Sequence, residues 1–139
     1  MDIPFLLLYL QIKIALIVER MSVGRIAEQE ALDYLLHRGF VLLERNWRTR
    51  HLEVDLIMAD GKCLRFIEVR SRTSPAIVKP VDTVDKLKRK HIISAARSFV
   101  NKRRIDADVR FDIVSVVFSH KGCELEYFPD AYNLIDDFL

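Results

Sequence analysis

Along residues 24–117 the apolar positions switch between two periods, one of three to four residues and one of two. "GRIAEQEALDYLLHRGF" sets Ala31, Leu32 and Leu35 on one stripe at helical spacing, and Gly39 follows the last periodic residue as a stop. Glu28 stands three and four residues before Ala31 and Leu32, at the edge of that stripe, so it carries an inward bias. "FVLLERNW" reads as a strand. "LEVDLIMA" and "CLRFIEVR" flank Asp60-Gly61 as the two arms of a hairpin. Alternation gives Glu53, Asp55 and Ile57 one face of the first arm, and Leu64, Phe66, Glu68 and Arg70 one face of the second. A hairpin that pairs these faces brings Asp55 and Glu68 together.

The segment "SRTSPAIVKP" is a loop by its prolines and small polar residues. A second helix follows in "DTVDKLKRKHIISAARSFVNKRR". Asp82 or Thr83 is its N-cap, and Ile92, Ala95, Ala96, Phe99 and Val100 form its apolar stripe. Lys86, Lys90 and Arg97 fall on another side. "VRFDIVSVVF" is a buried strand, "SHKG" a turn and "CELEYF" a short return strand. The order helix, three strands, helix, two strands predicts an α/β fold, a single domain with a mixed sheet flanked by helices. At 139 residues the chain can bury such a core without disulfides or structural metal.

Upstream, "FLLLYLQIKIALIV" is strongly apolar but interrupted by Gln11 and Lys13, and it is shorter than the roughly 20 residues of a membrane span. With Asp2 in place of a basic start and no small-residue cleavage site, it does not read as a signal peptide. Residues 1–20 are expected to be an apolar extension, residues 21–130 the domain, and 131–139 an acidic tail. An extra element packed on the body is the alternative for the extension.

Composition adds a charge asymmetry. The net charge is +2, yet Lys86 to Arg104 holds eight Lys or Arg and no acid, while Cys123 to Leu139 holds five acids and no Lys or Arg. A local basic face suits a phosphate-bearing partner, and equally a solvated helix face. Cys63 and Cys123 stand in strand-like segments without a second Cys or His at ligand spacing, as do the scattered His37, His51, His91 and His120. This pattern speaks for reduced thiols in a cytoplasm and against a zinc site.

Carboxylates inside otherwise apolar strands need a partner, because burying an unpaired one costs several kcal/mol. Asp55 and Glu68, with a strand carbonyl such as that of Val69, form a reasonable oxygen ligand set for Mg²⁺ or Mn²⁺, and two close carboxylates are relieved of mutual repulsion by a cation between them. A cross-strand ion-pair network with Arg48, Arg70 or Arg72 is the structural alternative. Arg45, Arg48 and Arg50 around Trp47 could grip phosphates or stack on bases, or Trp47 could close the edge of the core. Asp112 is expected to bridge to Arg110 or to the second helix, and His91 to pack.

Taken together, an acid in the first helix, an Asp on one strand and Glu-X-Arg on the next resemble the PD-(D/E)XK pattern of restriction-endonuclease-like nucleases and Holliday junction resolvases. More closely, "GRIAEQEALDYL", "GFVLLERNWR", "LEVDLI", "FIEVRSR", "KLKRKHIISAARSFV" and "RFDIVSV" resemble, in order, the YraN family of small bacterial endonuclease-like proteins. The resemblance implies a restriction-endonuclease-like fold and a Mg²⁺- or Mn²⁺-dependent nuclease acting on DNA, branched or single-stranded. It implies Glu28, Asp55, Glu68 and Arg70 as the catalytic set, with Asp55, Glu68 and Val69 at the metal. Phosphate contacts would come from Arg45, Trp47, Arg48, Arg50, Arg72, Lys86, Lys90 and Arg97. Neither a small-molecule cofactor nor a membrane is expected as a partner, and a homodimer is compatible with the pattern. The chain departs from the family at Ala27 and Leu52, where Gly is usual, and at Arg70, where the motif has Lys. Arginine stays protonated, so it can stabilise negative charge but cannot act as a base. A scaffold that binds nucleic acid without cleaving it is the second expectation.

Overall fold

Two helices and five strands follow one another as α1 (Ile3–His37), β1 (Val41–Arg48), β2 (Glu53–Asp60), β3 (Cys63–Thr73), α2 (Lys86–Arg103), β4 (Asp108–Ser119) and β5 (Gly122–Tyr132). They are seen in a computed structural model, which describes residues 3–50, 52–73 and 86–133. The strands lie side by side in chain order. Neighbours pair antiparallel except β3 and β4, which run parallel from Cys63↔Asp108 to Thr73↔Phe118. A parallel pair needs a crossover, and α2 lies on it. The result is the expected α/β arrangement with a mixed sheet.

Strand alternation then divides the core in two. Ile57, Leu64, Phe66, Phe111 and Ile113 face α2 and pack on Ile92, Ile93, Ala96 and Phe99. Leu56, Met58, Ile67, Val114 and Val116 face the other way and pack on Ala27, Ala31, Leu32 and Leu35 of α1. Both apolar stripes read from helical spacing are therefore the buried ones, with Val100 only half-buried. At the hairpin, Asp60 pairs with Cys63 across a two-residue loop, and Gly61 adopts φ +58° there. An L side chain is strained at that angle, so Gly61→Val should cost about 1–2 kcal/mol, measurable as a lowered urea midpoint.

Three elements differ from expectation. First, α1 does not begin near Gly24. It runs unbroken from Ile3, and its first turns carry Phe5, Leu8, Ile12, Ile14 and Ile17 about half exposed, while packing on the sheet starts at Ala27. None of the helices in the described residues is long and apolar enough to cross a membrane. Second, the return strand is not short. β5 continues through Pro129 to Tyr132, past an irregularity at Asp130 with φ +52°. Proline is tolerated because β5 is an edge strand. Ala131 and Tyr132 thus lie in the sheet, and residues 134–139 of the expected tail fall outside the described residues, as do the N-cap candidates Asp82 and Thr83, His51 and most of the predicted loop.

Third, Asp112 bridges neither to Arg110 nor to α2. Its side chain is fully buried on the α1 side of β4, where it accepts hydrogen bonds from the Tyr127 hydroxyl (2.5 Å), the Asp130 amide (2.8 Å) and Arg65 (3.1 and 3.2 Å). Burial pushes its carboxyl up, and those donors work against the push. Arg110 is exposed at the start of the strand and reaches only Asp130, at 3.9 Å. The amide left over by the β5 irregularity is what this carboxylate satisfies.

Candidate active site

The β2–β3 ladder ends at Leu56↔Ile67. Beyond it the Val69 amide donates not to a strand carbonyl but to Asp55 Oδ2, at 2.8 Å. A side chain thus replaces a backbone acceptor and lets the two strands part. Asp55, Glu53, Glu68 and Val69 line the cleft that opens there, and Lys88 and His91 of α2 line its other side. The faces predicted to pair do so, and Asp55 and Glu68 share one cleft.

Electrostatics in the cleft are unbalanced. The Asp55 carboxyl is pushed up to about 7, chiefly by burial; the Val69 amide opposes this, and the charges of Glu28, Glu68 and Glu53 add to it. Glu68 presents Oε1 to the Arg70 guanidinium at 3.0 Å and to the Lys88 ammonium. Its other oxygen, Oε2, is buried without a hydrogen-bond partner among the described residues, as is Arg70 Nε. Glu28 is half-buried behind Asp55, and its carboxyl is raised by burial against the pull of Arg45. With the Asn46 amide turned to donate, that side chain reaches Glu28 at 3.2 Å and Glu53 at 3.0 Å. Asn46 itself sits in a left-handed backbone conformation, φ +53°.

A hard divalent cation fits this donor set. The set is all oxygen, it includes a buried carboxylate atom without a partner among the described residues, and it holds one acid raised by burial and further by its acidic neighbours, which a cation would relieve. No three acid, His or Cys side chains among the described residues gather into a ready-made cage. The set is two carboxylates and the Val69 carbonyl, with room for the waters that Mg²⁺ retains. Glu28 does not line the cleft and acts on it through charge.

The cations named from the sequence are dispersed. Arg48, the last residue of β1, and Arg50, just beyond it, are exposed beside a half-buried Trp47 whose ring meets Phe99 edge-on at 5.2 Å. Trp47 thus closes the core edge and still lines a neighbouring groove with Arg48 and Arg50. Arg45 donates to Gln29 at 3.0 Å, and Arg72 to the Ser71 carbonyl at 3.1 Å. Lys86, Lys90 and Arg97 are exposed, about 180° around α2 from Lys88. Two residues not singled out from the sequence, Glu53 and Lys88, line the cleft. The first shares its strand face with Asp55, and the second begins the i, i+3 step to His91 that could have marked this side of α2.

Fold and cleft together define an α/β domain whose acids converge where the central hairpin opens. The description "Uncharacterised protein family UPF0102" matches residues 27–116, from the residue before Glu28 into β4. Similar curated proteins are the UPF0102 protein of Anaeromyxobacter dehalogenans, 42% identical over 115 residues (82% of this chain, 86% of the relative), that of Geobacter metallireducens, 38% identical over 114 (81% and 93%), and that of Parabacteroides distasonis, 36% identical over 111 (80% and 92%). The chain belongs to this family, the YraN family. All four residues of the expected catalytic set fall inside the matched segment.

Proposed function

We propose that the cleft hydrolyses phosphodiester bonds of nucleic acid, DNA in the first instance, with a divalent cation held by Asp55, Glu68 and the Val69 carbonyl. The observation that carries this reading is that Glu68, whose buried Oε2 has no partner among the described residues, lines the same cleft as a second carboxyl already strained by burial. When bound, Mg²⁺ or Mn²⁺ supplies the polarisation of a phosphoryl oxygen. The chain does the rest. Arg70 and Lys88 fix Glu68 through its Oε1 and put two positive charges beside the phosphate, where they stabilise the negative charge of the transition state. Arg70 keeps its proton, so the attacking water must be deprotonated by something other than residue 70. Glu28 adds negative potential behind Asp55 and favours a cation there.

The test is calorimetric titration of Mn²⁺ into native protein and Glu68→Gln, beside cleavage of branched and single-stranded DNA by native protein and Asp55→Ala. Saturable binding lost in Glu68→Gln, with metal-dependent cleavage lost in Asp55→Ala, is expected. Equal cleavage by native protein and Asp55→Ala rejects the assignment.

One observation favours a second reading, a nucleic-acid-binding or assembly module without turnover: Glu68 already meets two cations at one oxygen. Arg70→Lys separates the two. Cleavage gained in that variant alone marks a scaffold that lost its chemistry through Arg70.

A further inference from the structure

Beside the acid cleft, and sharing His91 with it, runs a second groove between the end of β1 with the turn that follows and one side of α2. Trp47, Arg48 and Arg50 line it from the sheet side, and Ser94, Ser98 and Lys102 from the helix. None of the described residues that line it is acidic. Ser94, Ser98 and Lys102 follow one another at i+4, so a hydroxyl or ammonium recurs about every 6 Å along the helix. Glu53 of the adjoining cleft holds Arg48 at 3.5 Å through a pair whose Arg side chain is 78% exposed, a contact that a phosphate can replace.

From this arrangement we infer that the groove is a track for a single nucleic-acid strand, gripped by its phosphates and delivered past His91 to the cleft. The inference rests on the phosphodiesterase reading and names its substrate class. Charge complementarity carries it: a positive, hydroxyl-lined channel empties into a negative pocket, so a polyanion is held along the channel and meets the acids only where a cation intervenes. The half-buried Trp47 between the cationic walls offers an aromatic surface to a base, and only an unpaired base can use it. The working face of α2 is therefore the one with Lys102. Arg97 lies away from the groove, on the opposite flank of α2 with Ile93, Val100 and Asn101.

Trp47 is the only tryptophan of the chain and reports on the groove directly. A twelve-nucleotide oligothymidylate is titrated in EDTA, which prevents turnover, while Trp47 emission and the anisotropy of the labelled strand are read. Expected are a saturable change in emission, binding that weakens with salt, and binding roughly tenfold weaker in Arg50→Glu and in Lys102→Glu. Arg97→Glu, on the opposite flank of α2, should change affinity by less than about twofold, and a duplex of equal length should bind about tenfold more weakly. All three positions are exposed, so these charge reversals leave the fold intact, which a melting curve checks. The inference is overturned by binding that leaves Trp47 emission unchanged, by equal weakening in Arg97→Glu and Lys102→Glu, by a duplex binding as tightly as the single strand, or by no binding at all. Mn²⁺ calorimetry reads the acids without nucleic acid, so failure of the track is distinguishable from failure of the metal site.

Discussion

Asp112→Ala should lower the stability of the fold by about 3–5 kcal/mol, the range for removing one partner of a buried ion pair. Four contacts from three donor groups end on this fully buried carboxylate. Arg65, only 12% exposed at its side chain, keeps Asp60 at 3.3 Å and Asp130 at 3.6 Å but loses its one buried counter-charge. The Tyr127 hydroxyl and the Asp130 amide are left unsatisfied as well, each a further penalty. Urea denaturation of native protein, Asp112→Ala and Tyr127→Phe checks the ordering, with Tyr127→Phe losing about 1 kcal/mol through a single hydrogen bond. An alanine variant within about 1 kcal/mol of native would mean that the network adds nothing beyond packing.

The second large effect concerns Asp55 and depends on pH. In the unfolded chain its carboxyl ionises near its ordinary value of 3.8, and in the fold near 7. Below pH 4 both states hold the proton and the group contributes nothing. Between pH 4 and 7 the unfolded state releases a proton that the folded state keeps, so stability falls as pH rises; above 7 the loss levels off, at up to ~4 kcal/mol. Asp55→Asn removes the slope while leaving an acceptor for the Val69 amide. The variant should therefore match native protein near pH 4 and exceed it in stability at pH 8. Mn²⁺ should restore native stability at pH 8, have little effect at pH 5, and leave the variant unchanged. Parallel stability curves for the two proteins from pH 4 to 8 would contradict this account, and with it the strain that a cation is supposed to relieve.

How much of this was legible in the sequence depended on whether a signal was local. The two helical stripes, the hairpin at Asp60-Gly61 and the shared face of Asp55 and Glu68 follow from periods of three to four and of two, which neighbouring residues enforce. Misreadings arose where a distant residue decides. Pro129 looks like the end of β5 until an edge position and the Asp112 carboxylate accommodate the irregularity beside it. Arg110 looks like the partner of Asp112 because it is two residues away, but Arg65 on the neighbouring strand lies deeper. For α2, counting charges drew attention to Lys86, Lys90 and Arg97. That Lys88 instead lines the acid cleft shows only once β2 and β3 stand beside the helix.

The parallel ladder between β3 and β4 has a consequence for how the molecule comes into being. Its pairs, from Cys63↔Asp108 to Thr73↔Phe118, each close a loop of some 45 residues, and the chain must be synthesised through Phe118 before the last can form. Glu68 lies within that ladder, and Lys88 on the helix it spans. A nascent polypeptide therefore has the β2–β3 hairpin that brings Asp55 and Glu68 together before it has the strand that holds β3 in the sheet, and the cleft is complete only in the finished fold.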